Sequence, residues 1–177
     1  MGSKAGKDAT PAGRGRQDAR GLTHLDAAGR ARMVDVGGKA VTARRAVAEG
    51  RVRFSARAFA LLRAQRLAKG DALAVARLAG IQAGKRTMEW IPLCHAVPLD
   101  HLEVDIALRP SAREVEVTAT ATARWTTGVE MEALVAVSAA CLALYDMAKA
   151  VDRAIEIGGI RLLEKSGGRS GAWRRAD

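Results

Sequence analysis

The residues of this chain best spaced for chemistry stand at the two ends of one apolar stretch, Gly128 to Lys149. Glu130 and Glu132 precede an alanine-rich run, and Asp146 and Lys149 close it. Read as a helix, the stretch makes roughly six turns. Acids in a first turn suit the macrodipole, so Glu130 and Glu132 have a bland explanation in helix capping. Asp146 has none. It sits near the negative end, and the favourable partner within reach is Lys149, one turn on. An acid set against the dipole with a lysine beside it suits proton transfer or phosphate binding. Three other segments hold candidate groups: Ile91-Pro92-Leu93-Cys94-His95, Lys69-Gly70-Asp71, and the glycine-rich basic run Lys165-Ser-Gly-Gly-Arg-Ser-Gly171. Each has a plain reading. A loop histidine is usually a surface or satisfied residue. Lys69-Gly70-Asp71 reads as a C-cap followed by an N-cap. Residues 165–171 read either as a phosphate cradle of backbone amides and cations, without Walker spacing, or as a flexible tail.

The elements that must position these groups are legible in the hydrophobic pattern. Residues 1–21 lack apolar periodicity and read as a disordered tail or an appended expression remnant. Residues 22–177 then form one domain, with 169–177 expected to be flexible. Met33-Val34-Asp35-Val36 starts order, and Ala40 to Phe54 is strand-like with a turn at Glu49-Gly50. Ser55 caps a helix to about Leu67, stopped by Lys69-Gly70, and Asp71 caps a second that runs to Trp90, before Pro92. Ala76, Gly80 and Gly84 make a small-residue stripe on that helix. It admits close approach of another backbone, within the chain or from another subunit. Leu102 to Leu108 and Val115 to Ala121 alternate with period two around an Arg109-Pro110-Ser111-Ala112 turn, which predicts an antiparallel hairpin with one buried face. A last strand, Ala154 to Leu163, carries a kink at Gly158-Gly159. The order predicts an α+β fold with helices on one face of an antiparallel sheet.

Composition narrows the function. At 177 residues the chain is long enough to bury a core; it is 49% hydrophobic but only 3% aromatic, so alanine, valine and leucine must fill the interior. No run of roughly 18 apolar residues is free of charge, so no transmembrane helix is expected. Cys94 and Cys141 form neither a CxxC nor a metal-ligand spacing, and reduced thiols point to the cytoplasm. The net charge is +10, but residues 1–20 and 169–177 carry half of it. The remainder suits a compact anion such as a triphosphate. Few aromatics are available to stack bases, which weakens a single-strand-binding reading.

Taken together, these segments resemble cyclic pyranopterin monophosphate synthase, the C protein of molybdenum-cofactor biosynthesis. The resemblance is carried by Leu22-Thr23-His24, Met33-Val34-Asp35-Val36, Lys69-Gly70-Asp71 and Ala79-Gly80-Ile81-Gln82-Ala83-Gly84-Lys85-Arg86-Thr87. It continues through Ile91-Pro92-Leu93-Cys94-His95, Gly128-Val129-Glu130-Met131-Glu132-Ala133-Leu134, Tyr145-Asp146-Met147 with Lys149-Ala150-Val151, and Lys165-Ser166-Gly167-Gly168. It covers residues 22–171. Ala96 stands where the family usually has proline, and Arg169 where lysine is common. The first departure loosens the loop that holds His95; the second keeps the charge.

The resemblance implies a ferredoxin-like α+β fold and a lyase that converts 3′,8-cyclo-7,8-dihydroguanosine triphosphate to cyclic pyranopterin monophosphate and pyrophosphate. It implies a hexamer built from dimers, with the active site at a dimer interface. By motif, Asp146 is the catalytic acid/base, with Lys69 and Lys149 as essential partners. Leu93, Cys94 and His95, with Glu130, Met131 and Glu132, are substrate-binding positions, and Asp35, Lys39, Arg44 and Lys165 rim the site. No resident metal is implied, and whether magnesium accompanies the triphosphate is left open. Neither nucleic acid nor a membrane is an expected partner. Two other readings are a basic ferredoxin-like module that binds nucleic acid, which would explain the charge, and an inactive relative serving in assembly, for which Ala96 is the sequence hint.

Overall fold

The computed structural model describes residues 29–176. The expected tail, residues 1–21, and the Leu22-Thr23-His24 segment lie outside them. The chain divides into a unit of residues 1–34, described only from residue 29, and a unit of residues 35–177 that carries the fold.

In the larger unit the elements run β1 (Thr42–Arg53), α1 (Ala56–Arg63), α2 (Ala72–Gly84), α3 (Thr87–Trp90), β2 (His101–Arg109), β3 (Glu114–Trp125), α4 (Glu130–Ala148), β4 (Glu156–Ser166) and β5 (Trp173–Arg174). The strands form one antiparallel sheet in the order β2-β3-β1-β4-β5. Leaving β5 aside, this is the split β-α-β arrangement of a ferredoxin-like α+β fold. Burial alternates along β3, where Val115, Val117, Ala119, Ala121 and Ala123 point into the core and the intervening residues do not. Ala46, Ala48 and Val52 of β1 join them against Ala133, Ala136, Val137, Ala140 and Leu144 of α4. With so few aromatic residues, small side chains let helix and sheet approach closely.

α4 is long and apolar enough to cross a bilayer by length and composition alone, but most of it is buried inside this fold. A helix apolar all round belongs in a core.

Both cap assignments hold. Ser55 Oγ accepts from Ala58 N at 3.4 Å, and Asp71 Oδ1 accepts from Leu73 N and Ala74 N at 3.1 and 3.0 Å. Other boundaries move for identifiable reasons. α1 ends at Arg63 because Gln65 turns left-handed, with φ 54°. The second helix does not reach Trp90. It stops at Gly84, and Thr87 Oγ1 donates to the freed Gly84 carbonyl at 2.9 Å before α3 begins. Glu49-Gly50 is no turn, since β1 runs straight through it; a Cβ at residue 50 would lie 2.6 Å from Val137 Cγ1 and 3.2 Å from Cys141 Sγ. The β1–β4 register instead shifts twice, between Val47 and Ala48 and between Glu49 and Arg51, the second beside Gly158-Gly159. The last long strand is Glu156–Ser166, two to three residues later than expected at each end. The small-residue stripe is used within the chain: a Cβ on Gly80 would meet the Ala136 carbonyl of α4 at 2.8 Å, and one on Gly84 would meet Leu102 Cδ2 at 2.6 Å.

Candidate active site

Three clusters gather around α4, and the first sits on its C-terminal end. Lys69 comes from the α1–α2 turn, where Gly70 adopts φ 91° and its amide donates to the Leu67 carbonyl at 3.0 Å. That turn aims Lys69 at the helix end. Its Nζ donates to Asp146 Oδ2 at 2.6 Å and to the Asp146 carbonyl at 3.0 Å. Lys149, the C-cap residue, pairs with Asp146 Oδ1 at 2.8 Å. Two ammonium groups therefore offset an acid placed at the negative pole. The bonds from Lys149 and then Lys69 hold the Asp146 carboxyl down at about 2, and Asp146 in turn raises Lys149. All three side chains remain about half exposed, open to a ligand.

A second cluster lies at the N-terminal end. Glu132 is buried, and burial first, then the charge of Glu130, pushes its carboxyl up to about 7. The Cys94 thiol is raised by its own burial and by the charges of Glu132 and Glu130. The turn after α3, closed by Cys94 N donating to the Ile91 carbonyl at 3.0 Å, thus brings the Leu93-Cys94-His95 segment to the start of α4. Met131 and His95 are half-buried there and Leu93 is exposed.

The third cluster is a groove of about 640 Å³, to which Lys39, Arg44, Arg45, Lys165 and Arg169 contribute against the single carboxylate of Glu130. Arg44 is fixed by donating Nε to the Trp125 carbonyl and Nη2 to the Thr126 carbonyl, both at 3.1 Å. Gly167 and Gly168 pass directly over it with φ 98° and 72°; a Cβ on either would collide with the Ala43 carbonyl or the Arg44 guanidinium. The double glycine is needed for that approach. Lys165 donates to Ser170 Oγ, and Arg45 pairs with Glu164. Among the described residues two buried side-chain polar atoms lack a hydrogen-bond partner, Thr42 Oγ1 in the groove and Glu132 Oε2 at the helix start. Buried polar atoms are costly to leave unpaired, so both call for a partner from outside these side chains, water included.

Of the expected site residues, Lys39, Arg44, Glu130 and Lys165 share the groove, and Cys94 lies near enough to Glu132 and Glu130 to feel their charge. Lys69, Asp146 and Lys149 meet at the other end of α4. Asp35 lies ahead of β1, where its Oδ1 accepts from Gly37 N at 2.8 Å, and it does not line the groove. α4 has 19 residues, so its ends are about 28 Å apart. One chain does not bring Lys69 and Lys165 to the same phosphates. Sequence reasoning missed Thr42 and Arg45. The Arg44-Arg45 doublet was the available signal, but strand alternation gave no reason to expect both at one groove.

Glu132→Gln is expected to stabilise the fold by roughly 1–2 kcal/mol at pH 8 and to have no measurable effect near pH 4. Below the ordinary value of 4.5 both folded and unfolded chains carry a neutral Glu132, so nothing is lost. Between that value and about 7 the unfolded chain ionises first, and the penalty is complete above the folded value. The full shift converts to about 3 kcal/mol, which relaxation of the helix end reduces. Urea unfolding at the two pH values measures the difference, and an effect independent of pH would overturn the account.

A family model described as the MoaC family matches residues 33–168. A cyclic pyranopterin monophosphate synthase of Chloroflexus aurantiacus is 58% identical over 154 residues, covering 87% of this chain and 94% of the relative. Proteins of the same name from Thermomicrobium roseum and Parvibaculum lavamentivorans are 56% and 55% identical over 156 residues, covering 88% of this chain and 94% and 98% of those relatives. The matched span holds all three clusters except the last residues of the groove loop. The chain belongs to the MoaC family.

Proposed function

We infer that the chain is a cyclic pyranopterin monophosphate synthase, a lyase of molybdenum-cofactor biosynthesis that takes 3′,8-cyclo-7,8-dihydroguanosine triphosphate to cyclic pyranopterin monophosphate and pyrophosphate. The observation that carries this reading is the Lys69–Asp146–Lys149 triad, which combines proton-handling groups and paired cations at an accessible helix end. In the reaction a ligand hydroxyl gives up its proton to a base as its oxygen bonds to the α-phosphorus, the bond to the bridging oxygen breaks, and pyrophosphate leaves. Cations of the groove stabilise the charge that develops on the leaving group. Glu132, whose carboxyl is raised to about 7 by burial, can accept or donate a proton at a polar edge of the ring system.

Asp146 held at about 2 is a weak base while both lysines grip it. Phosphates that draw Lys69 and Lys149 away would restore its basicity, so binding itself switches on the base. Lys149, one helical turn from Asp146, is the protonated group placed to return the proton once the pair is parted. The reading requires two copies, one supplying the groove and the other the triad, because α4 separates them within a chain. Exposed Trp90 and Leu142 line a shallow surface with Ala83 and Ala139, flanked by Arg86 and Glu89, which suits another copy in a hexamer built from dimers. Cys94 and Cys141 are free thiols, in keeping with a reducing cytoplasm.

The test is direct. Purified protein incubated with the cyclised nucleotide should release one pyrophosphate per cyclic product; no release above the protein-free rate would overturn the reading.

A further inference from the structure

The last residues of the chain double back on the strand that carries Lys165. β5 pairs Trp173 with Lys165 and Arg174 with Glu164. Beyond it the Arg175 amide donates to the Leu163 carbonyl at 2.8 Å, and Arg175 Nε donates to the Leu162 carbonyl at 2.9 Å. The Arg175 guanidinium lies over the Trp173 ring, 5.9 Å from its centroid. These bonds enclose the loop after Ser166, in which Gly167, Gly168 and Gly171 all have positive φ. Across that loop Lys165 reaches Ser170, and the Gly171 amide donates to the Gly168 carbonyl at 3.2 Å. The loop is one wall of the basic groove. Glu164 connects the two structures, pairing with Arg45 in the groove and, at 4.0 Å, with Arg174 on β5.

A loop with three glycines has many conformations open to it when one end is free, and a ligand that orders it must offset that entropy. Closing the loop beforehand lowers the cost of binding. We propose that residues 173–175 form a positioning strap for the groove. Their main-chain pairing to β4 closes the loop over Arg44, and Arg174, acting through Glu164, fixes Arg45. Lys165, Arg45 and the loop are thereby set for the phosphates of the ligand before it arrives. The inference rests on the anion reading of the groove. Trp173, Arg174 and Arg175 do not line the groove, so they act through other residues, as positioning groups. The Arg175 amide is the place to test this, because proline there deletes a main-chain donor that alanine keeps.

Full-length protein is compared with a chain ending at Ala172, with Arg175→Pro and with Arg175→Ala. Amide hydrogen exchange reports on residues 166–171, calorimetry on the affinity for inorganic pyrophosphate, and the turnover assay on KM and kcat. In the shortened chain and in Arg175→Pro, loop exchange should accelerate, while Kd for pyrophosphate and KM for the triphosphate rise about tenfold. In both, kcat should stay within about twofold and exchange in α4 should not change, while Arg175→Ala stays close to the parent. Unchanged loop exchange and KM would overturn the strap, as would a loss of kcat accompanied by faster exchange throughout α4. If the unaltered protein binds no pyrophosphate although its loop exchange still responds to the strap, the anion reading falls, and with it the role assigned to these residues.

Discussion

Asp146→Asn is expected to lower kcat by roughly 10²–10⁴-fold, the range for loss of a positioned general acid or base. The asparagine keeps the shape of the side chain and one acceptor oxygen, so Lys69 retains a partner there and at the Asp146 carbonyl. What disappears is the charge that holds two ammonium groups together and the site that takes a proton once they are drawn off. The fold should hardly notice, since the triad is about half exposed and such ion pairs contribute little to stability. The pH dependence checks this. A carboxyl lowered from 3.8 to about 2 contributes stability above its unfolded value and loses it as pH falls through the folded one. Parent and variant should therefore unfold at a constant offset above about pH 4, converging towards pH 2. Pyrophosphate release by the variant within severalfold of the parent would remove Asp146 from the chemistry. A collapse in thermal stability would instead make it a structural residue.

How far such a site can be read without coordinates depends on how local its causes are. Ser55 and Asp71 cap helices through their own sequence neighbours, and the hairpin of β2 and β3 follows from period-two alternation around one turn. The Asp146–Lys149 pair is one helical turn long and equally legible. Lys69 is another matter. It lies 77 residues from Asp146, and only the family resemblance joined the two before the structure did. The influence of Glu132 on Cys94, the grip of Arg44 on the Trp125 and Thr126 carbonyls, and Gly50 facing Val137 and Cys141 likewise join distant segments. Gly50 is instructive because its type suggested a turn, whereas the residue is small there because α4 lies on it. β5 escaped for a different reason. Two residues carry no periodicity, and their strand exists only because β4 offers an unpaired edge.

The separation of the clusters along α4 yields the second large effect. Lys165→Ala should remove a groove cation and Asp146→Asn the base, each leaving little turnover when made alone. Mixed in equal amounts, dissociated and reassembled, the two inactive proteins should recover about a quarter of the parental activity. The figure follows from symmetry: in a site taking its groove from one copy and its triad from the other, each half is intact by chance half the time. A site contained within a single chain predicts nothing above the sum of the two variants, since every chain then carries one defect. The distinction does not depend on whether the assembly is a dimer or a hexamer, because only the pairing across one interface enters the count. It does require that copies exchange, which mass spectrometry of a heavy-isotope-labelled partner would establish. Full exchange without recovered pyrophosphate release would mean that groove and triad do not serve one ligand. In that case the two ends of α4, about 28 Å apart, would hold separate sites.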